Sequence, residues 1–288
     1  MRRFGISQHE AQKWIDTRKV SQNGEIIRDK AAVVQGAIEV VVFEPASEGL
    51  EPIFQTKDFA LFDKPSGVMV HPRNRNTHYT LVDEIRHRYG PRANIVHRLD
   101  KETSGLVLAS LYKRSEKELK ALFEHKKIAK RYIALVRGHI TEQLIDAPIA
   151  RNRDYSTVKL KVHIDPAGKP ARTYIRPLHY YKDATLIEAL PITGRQHQIR
   201  IHLFHVKHPI IGDPIYGVST EDAIRYLDGL MSQEERIAVT GAKRLMLHAQ
   251  RLDFVYKDMR YILTSRMTPE AFLASGAVDA RFLEPEHG

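Results

Sequence analysis

Two apolar runs, residues 93–96 and 106–109, stand only nine residues apart, and the stretch between them reads HRLDKETSG. Short apolar runs bounded by polar turns read as buried strands. The chain must therefore carry a carboxylate, Asp100, and its charged neighbours on a loop between two parts of one core. An aspartate in such a loop commonly caps the Thr-Ser-Gly turn that follows it. Between buried flanks and beside Arg98, it is also placed for chemistry, and at this level both readings stand.

The remaining pattern points to an α+β fold, a mixed and mostly antiparallel sheet flanked by helices. Residues 7–19 begin with Ser7 and Glu10 at capping-box spacing, followed by Ala11, Trp14 and Ile15 at helical spacing. Residues 20–28 read as a hairpin turning at Asn23-Gly24, and 38–43 as a strand. The turn-rich stretch 45–52 reads as a linker. Beyond it, strands are expected at 53–54, 59–62, 68–70, 132–136, 245–247 and 254–256, with a strand-rich region at 158–190. Helices are expected at 80–88, 115–125 and 195–205. The expected organisation is a small N-terminal α/β domain (1–45), a linker (46–52) and a larger domain (53–288).

With a net charge of +10 and a pI near 9.6, the chain favours a polyanionic partner. The first 45 residues are nearly balanced, seven Lys/Arg against six Asp/Glu, so the larger domain carries the excess. Its densest run, 113–131, holds eight cations against three glutamates. A solvated helix face explains any single run as well, but several in one domain favour nucleic acid. There is no cysteine, which excludes disulfides and thiolate chemistry and fits a cytoplasmic protein. No apolar run is long enough to cross a bilayer, and the first 16 residues lack the apolar centre of a secretory leader.

A second constellation is LPITGRQHQIRIH (190–202), where a Thr-Gly turn leads into Arg195, Gln196, His197 and Arg200 at an expected helix start. Such donors suit a phosphate or a carboxylate, and Arg195 facing Asp100 would favour the ionised acid. His202, His205 and His208 have a spacing that could face a metal, but His208 adjoins Pro209 and no acidic partner is near, so no metal is expected. His97-Arg98-Leu99-Asp100 shares letters with a kinase catalytic loop but lacks its companion motifs, and there is no Gly-x-Ser-x-Gly elbow. No Rossmann or P-loop glycine pattern occurs, so no nucleotide cofactor is expected.

Taken in series, these motifs resemble the RluA-type pseudouridine synthases over most of residues 53–256. DKPSGVMVHP (63–72), HRLDKETSGLVLAS (97–110), KRYIALVRG (130–138), TGRQHQIRIH (193–202), GDPIYG (212–217) and LMLHA (245–249) follow one another in the family's order. The N-terminal helix, hairpin and strand are similar to part of the alpha-L RNA-binding motif. The resemblance implies that Asp100 is catalytic, with Tyr132 lying against the target base and Arg195 as the ion-pair partner of Asp100. It implies that Arg98 occupies the space a flipped nucleotide vacates. Further substrate contacts are expected from His97, Lys64, His71, Arg73, Gln198 and Arg200.

The expected activity is isomerisation of uridine to pseudouridine in RNA, most readily large-subunit ribosomal RNA, by a cofactor-independent cytoplasmic monomer. The alternatives are the same reaction on transfer RNA, or a non-catalytic RNA-binding or ribosome-assembly protein. Breaking the N-glycosidic bond, turning the uracil and rejoining it through carbon involves no net redox change and no group donor. A carboxylate could serve as nucleophile or take a ribose proton.

Overall fold

The computed structural model describes residues 7–41, 45–72, 77–151 and 162–286, and the chain divides into two units, Met1–Pro45 and Ala46–Gly288. In the first unit, helix α1 (Gln8–Asp16) starts with the expected capping box: the Ser7 side chain accepts from the Glu10 N–H, and the Glu10 carboxylate accepts from the Ser7 N–H. Strands β1 (Val20–Gln22) and β2 (Glu25–Ile26) form an antiparallel hairpin. Its turn residues Asn23 and Gly24 both have positive φ, at 51° and 80°, the requirement that selects Asn-Gly there. β3 (Glu39–Val40) pairs with the other edge of β1. It is shorter than the strand expected at 38–43, of which residues 42 and 43 lie outside the described residues.

The second unit is built on a ten-stranded sheet. β4 (Pro52–Gln55) and β5 (Phe59–Lys64) form one edge, followed after helix α2 (Leu81–Tyr89) by β6 (Asn94–Ile95) and β7 (Ser104–Ser110). After α3 (Lys113–Glu124) come β8 (Ile128–Arg137) and β9 (Gln143–Asp146). A separate two-stranded ribbon, β10 (Ile149–Arg151) and β11 (Val162–Ile164), precedes the long hairpin of β12 (Arg172–Tyr181) and β13 (Ala184–Pro191). Helices α4 (Gln198–His205), α5 (Thr220–Leu227) and α6 (Gln233–Thr240) lead to β14 (Leu247–Tyr256), β15 (Met259–Thr264) and α7 (Pro269–Ser275). The main path runs β4-β5-β7-β14-β8-β13-β12-β9 and is antiparallel except where β14 lies parallel to β7. This is the expected α+β arrangement.

That parallel junction depends on Gly105. Its φ is 110°, and a Cβ there would sit 2.4 Å from the Ala249 carbonyl oxygen, so only glycine lets β7 approach β14 this closely. Of the two strands expected at 245–247 and 254–256, Leu247 and residues 254–256 belong to one strand, β14, with an irregularity between Ala249 and Arg251, while Leu245 and Met246 precede it. Residues 68–70 are not a strand, because their carbonyls are used elsewhere: Val68 accepts from the Lys64 ammonium and Met69 from the Leu81 N–H. The expected linker 46–52 belongs to the second unit. Ser47 and Glu48 hydrogen-bond the Glu84 carboxylate on α2 at 2.8 Å, and Pro52 opens β4. Tyr132 on β8 packs against two hydrophobic clusters at once, one including Leu135, Ile187 and Leu203, the other Phe62, Leu81 and Val107.

Candidate active site

Asp100 stands on the loop before β7, just after the buried Leu99. The DKPSG segment fixes this loop from below. The Lys64 ammonium donates to the carbonyls of Pro65, Val68 and Lys101 at 2.9, 2.9 and 3.1 Å. The Gly67 N–H also reaches the Lys101 carbonyl, and the Ser66 hydroxyl donates to that of Glu102 at 2.6 Å. Burial pulls the Lys64 pKa down to about 7, against the opposing pull of Glu102 and Asp100. The Glu102 carboxylate in turn accepts from Tyr226 on α5 and Arg236 on α6, at 2.5 and 2.6 Å. Burial opposes its ionisation, but the Arg236 charge and these hydrogen bonds outweigh burial and hold its pKa below the ordinary carboxyl value.

The cation that meets Asp100 is Arg200, not Arg195. Arg200 Nη1 lies 3.3 Å from Asp100 Oδ2, while Nε and Nη2 form a bidentate pair with Asp213 at 2.7 and 2.8 Å. The Arg200 and Asp213 side chains are 2% and 0% exposed, whereas Asp100 keeps 28% of its surface. Asp213 also accepts from the N–H groups of Ile215 and Tyr216, and the Arg200 guanidinium lies over the Tyr216 ring at 5.1 Å. Burial works against the Arg200 charge, but Asp213 outweighs it and pushes the pKa further up. Arg195 precedes α4 on an exposed turn, where its Nε donates to the Pro170 carbonyl at 3.1 Å. A legible signal existed: an arginine between Ile199 and Ile201 on a buried helix requires a carboxylate partner, and Asp213 stands equally alone in the apolar run 210–216.

A cleft of about 710 Å³ opens over Asp100, a volume suited to a small organic group. Tyr132 lines it, and the Tyr132 hydroxyl has no hydrogen-bond partner among the described residues. Burial first, then the Asp100 charge, pushes the phenol pKa well up, so the ring stays neutral. Arg98 is exposed on the cleft lining and makes no hydrogen bond or ion pair among the described residues. His97 also lines the cleft, stacked on Phe123 with ring centroids 4.3 Å apart. Its Nε2 accepts from the Leu108 N–H at 2.9 Å, and burial, with Lys130 adding to it, lowers its pKa to about 3.

Other expected substrate contacts are corrected by the geometry. All three Lys64 donors are satisfied inside the protein, so its role is to hold the Asp100 loop. Gln198 accepts from Thr193 and the Arg195 N–H and donates to Arg172 and Thr173, which spends its amide on shaping the 193–195 turn. Arg200 is the partner of Asp100 rather than a substrate ligand. His71 is outside the cleft lining; burial lowers its pKa and the Arg98 charge adds to the effect. Arg73 lies outside the described residues. His202 and His208 hydrogen-bond to separate partners, Thr173 and Ala147 for one and Arg137 for the other.

The basic run 113–131 divides in two. Lys113 and Lys120 pair with Glu116, Arg114 with Glu118 and Arg131 with Glu188. Lys117, Lys126, Lys127 and Lys130 have no ion pair among the described residues, and Lys126 and Lys130 line the cleft. Lys130, together with Asp213 and Tyr216, is among the site residues that motif reading did not single out, and His197 was read only as one donor of the 190–202 cluster.

The chain as a whole is similar to several known proteins. The family described as RNA pseudouridylate synthase matches residues 58–205. An uncharacterized RNA pseudouridine synthase of Helicobacter pylori strain J99 is 39% identical over 268 residues, 92% of this chain and 88% of that protein. Ribosomal large subunit pseudouridine synthase D of Escherichia coli K12 is 32% identical over 226 residues, 73% of this chain and 68% of that protein. Human RNA pseudouridylate synthase domain containing 1 superposes with a TM-score of 0.61 at 26% identity, covering 80% of this chain and 89% of that one.

Proposed function

The chain belongs to the RluA-type family of RNA pseudouridine synthases, isomerases that convert uridine to pseudouridine in RNA, and from that premise we propose that Asp100 is its catalytic carboxylate and large-subunit ribosomal RNA its substrate. The observation that carries the site assignment is the pairing of a partly exposed Asp100 with a buried, doubly anchored Arg200 beneath a cleft lined by Tyr132. Arg200 sets a fixed countercharge 3.3 Å from the carboxylate. A carboxylate held there is placed either to attack carbon or to take a ribose proton, so the geometry serves either route.

The target nucleotide has to leave its stack to reach Asp100. Arg98, exposed on the cleft and unpaired among the described residues, is suited to fill the vacated space. Tyr132, held neutral, offers the detached uracil a stacking face while it turns. No atom is gained or lost overall: the bond from C1′ to N1 breaks, that from C1′ to C5 forms, and the proton lost from C5 is balanced by one gained at N1.

Ribosomal RNA is favoured by the similarity to a synthase named for the large ribosomal subunit. The N-terminal unit, with its helix, hairpin and third strand, is assigned to RNA contact, and residues 53–288 to catalysis. No helix among the described residues is long and apolar enough to cross a membrane; action as a cytoplasmic monomer completes the proposal. Pseudouridine mapping in total RNA from cells with and without the gene tests the substrate. Loss of signal confined to large-subunit RNA is expected, and loss confined to transfer RNA would overturn the assignment.

A further inference from the structure

Asp100 has a second neighbour that the catalytic reading leaves without a role. His197 adopts a left-handed conformation, φ 52°, immediately before α4. Its ring is 8% exposed, with Nε2 3.8 Å from Asp100 Oδ1. On the other side, Nδ1 lies 3.0 Å from the hydroxyl oxygen of Tyr216, which accepts the Val162 N–H at 3.1 Å. The Tyr216 side chain is buried, and the only acceptor in hydrogen-bond reach of its hydroxyl among the described residues is His197 Nδ1.

These contacts decide the tautomer. A phenol has one proton to give. If His197 carried its own proton on Nδ1, the buried Tyr216 proton would be left without an acceptor, a cost the alternative avoids. With Tyr216 donating to Nδ1, the neutral imidazole carries its proton on Nε2, directed toward Asp100 Oδ1. The two carboxylate oxygens are then distinguished: Oδ2 faces Arg200 and Oδ1 faces His197. One turn, 213–216, supports both partners, since Asp213 clamps Arg200 and Tyr216 sets the proton on His197.

We propose that His197 is a positioning residue that orients the Asp100 carboxylate through its Nε2–H, with Tyr216 fixing the tautomer. The proposal rests on the assignment of Asp100 as the catalytic acid. The gap of 3.8 Å is longer than a hydrogen bond, and it closes as Asp100 engages the bound nucleotide; such contacts are commonly long before substrate binds. The other titratable or charged groups facing Asp100 and His197 are Arg200 on α4, Asp213 and Tyr216 on the following turn, Tyr132 on β8 and Lys64 on β5.

The test is tritium release from RNA labelled at uridine C5, measured as kcat, KM and the pH profile of kcat/KM. His197→Phe is expected to lower kcat about tenfold or more, the effect of losing one donor to a charged group, with KM little changed. Its acidic limb should move to higher pH, because a donor to the ionised carboxylate is gone. His197→Gln can place an amide N–H where Nε2 stood and should recover most of both quantities. Tyr216→Phe should lower kcat in the native background but have little further effect in the His197→Gln background, where no tautomer remains to be set.

Equal activity of the Phe and Gln variants, an unmoved acidic limb, or full additivity of Tyr216→Phe with His197→Gln would each overturn the proposal. If His197→Phe does not fold, the Gln and Tyr216→Phe cycle still decides it. An active Asp100→Asn enzyme would instead overturn the underlying assignment. An inactive one alongside unaffected His197 variants overturns this inference alone.

Discussion

Replacing Arg200 separates the two arginines that compete for the role of partner to Asp100. Arg200 makes two bonds to Asp213 at 2.7 and 2.8 Å and one to Asp100 at 3.3 Å from a site that is 2% exposed. Arg200→Ala would leave the fully buried Asp213 facing an empty space with no countercharge. Breaking a buried pair from one side costs about 3–5 kcal/mol. At about 2–4 °C per kcal/mol for a domain of this size, Tm should fall by roughly 6–20 °C.

Arg200→Lys keeps the charge, but a single ammonium cannot reproduce the fork that spans both carboxylates. It should retain more stability than the alanine variant and still lose kcat by about tenfold or more. Arg195→Ala removes an exposed side chain whose only hydrogen bond among the described residues is to Pro170. Its Tm should change by less than about 2 °C, and its kcat by less than Arg200→Lys changes it. Joint replacement Arg200→Met with Asp213→Leu removes both buried charges and should recover stability relative to Arg200→Ala without recovering activity. Differential scanning calorimetry and tritium release measure these quantities. A larger loss of kcat in Arg195→Ala than in Arg200→Lys would refute the assignment of Arg200.

Gly105→Ala would force a Cβ to within 2.4 Å of the Ala249 carbonyl oxygen and should destabilise the sheet by on the order of 3 kcal/mol or more; a Tm within about 2 °C of the native value would contradict the close approach. Lys130→Ala removes a cleft cation that has no ion pair among the described residues, so RNA affinity should weaken and the slope of log K against log salt should shrink by about one. An unchanged slope would remove Lys130 from the RNA track. The pKa of Glu102 is lower folded than its ordinary value of 4.5, so its contribution to stability is fully present above about pH 4.5 and fades as the pH falls below that. Glu102→Gln should therefore flatten the acidic limb of Tm against pH, while an unaltered limb would show that the Arg236 and Tyr226 contacts do not stabilise the ionised form.

Local rules were legible wherever neighbouring residues carry the whole interaction. The capping box of Ser7 and Glu10 and the Asn23-Gly24 turn each need only a few consecutive residues, and the structure contains both. Asp100 was legible through its placement between two apolar runs. Its partner was legible only from the apolar neighbours of Arg200 and was missed, because motif reading favoured the arginine nearest a glycine turn. The deciding quantity is burial, which brings Arg200 inward on α4 and leaves Arg195 on the surface. Lys64 and Gln198 fail as substrate contacts for a similar reason. Their polar atoms are consumed by carbonyls and side chains distant in sequence, such as Lys101 for one and Arg172 for the other. The basic run at 113–131 overstated the free charge, since glutamates one helical turn away, together with Glu188 across the sheet, neutralise half of its cations.

The most direct test of the account is turnover by Asp100→Asn. The variant keeps the size of the side chain and changes only its charge and proton chemistry, so folding and RNA binding should persist. Tritium release from uridine-labelled RNA should fall to background while the RNA affinity stays within a few-fold of the native enzyme. Sustained pseudouridine formation by Asp100→Asn would contradict the claim that this carboxylate carries the reaction.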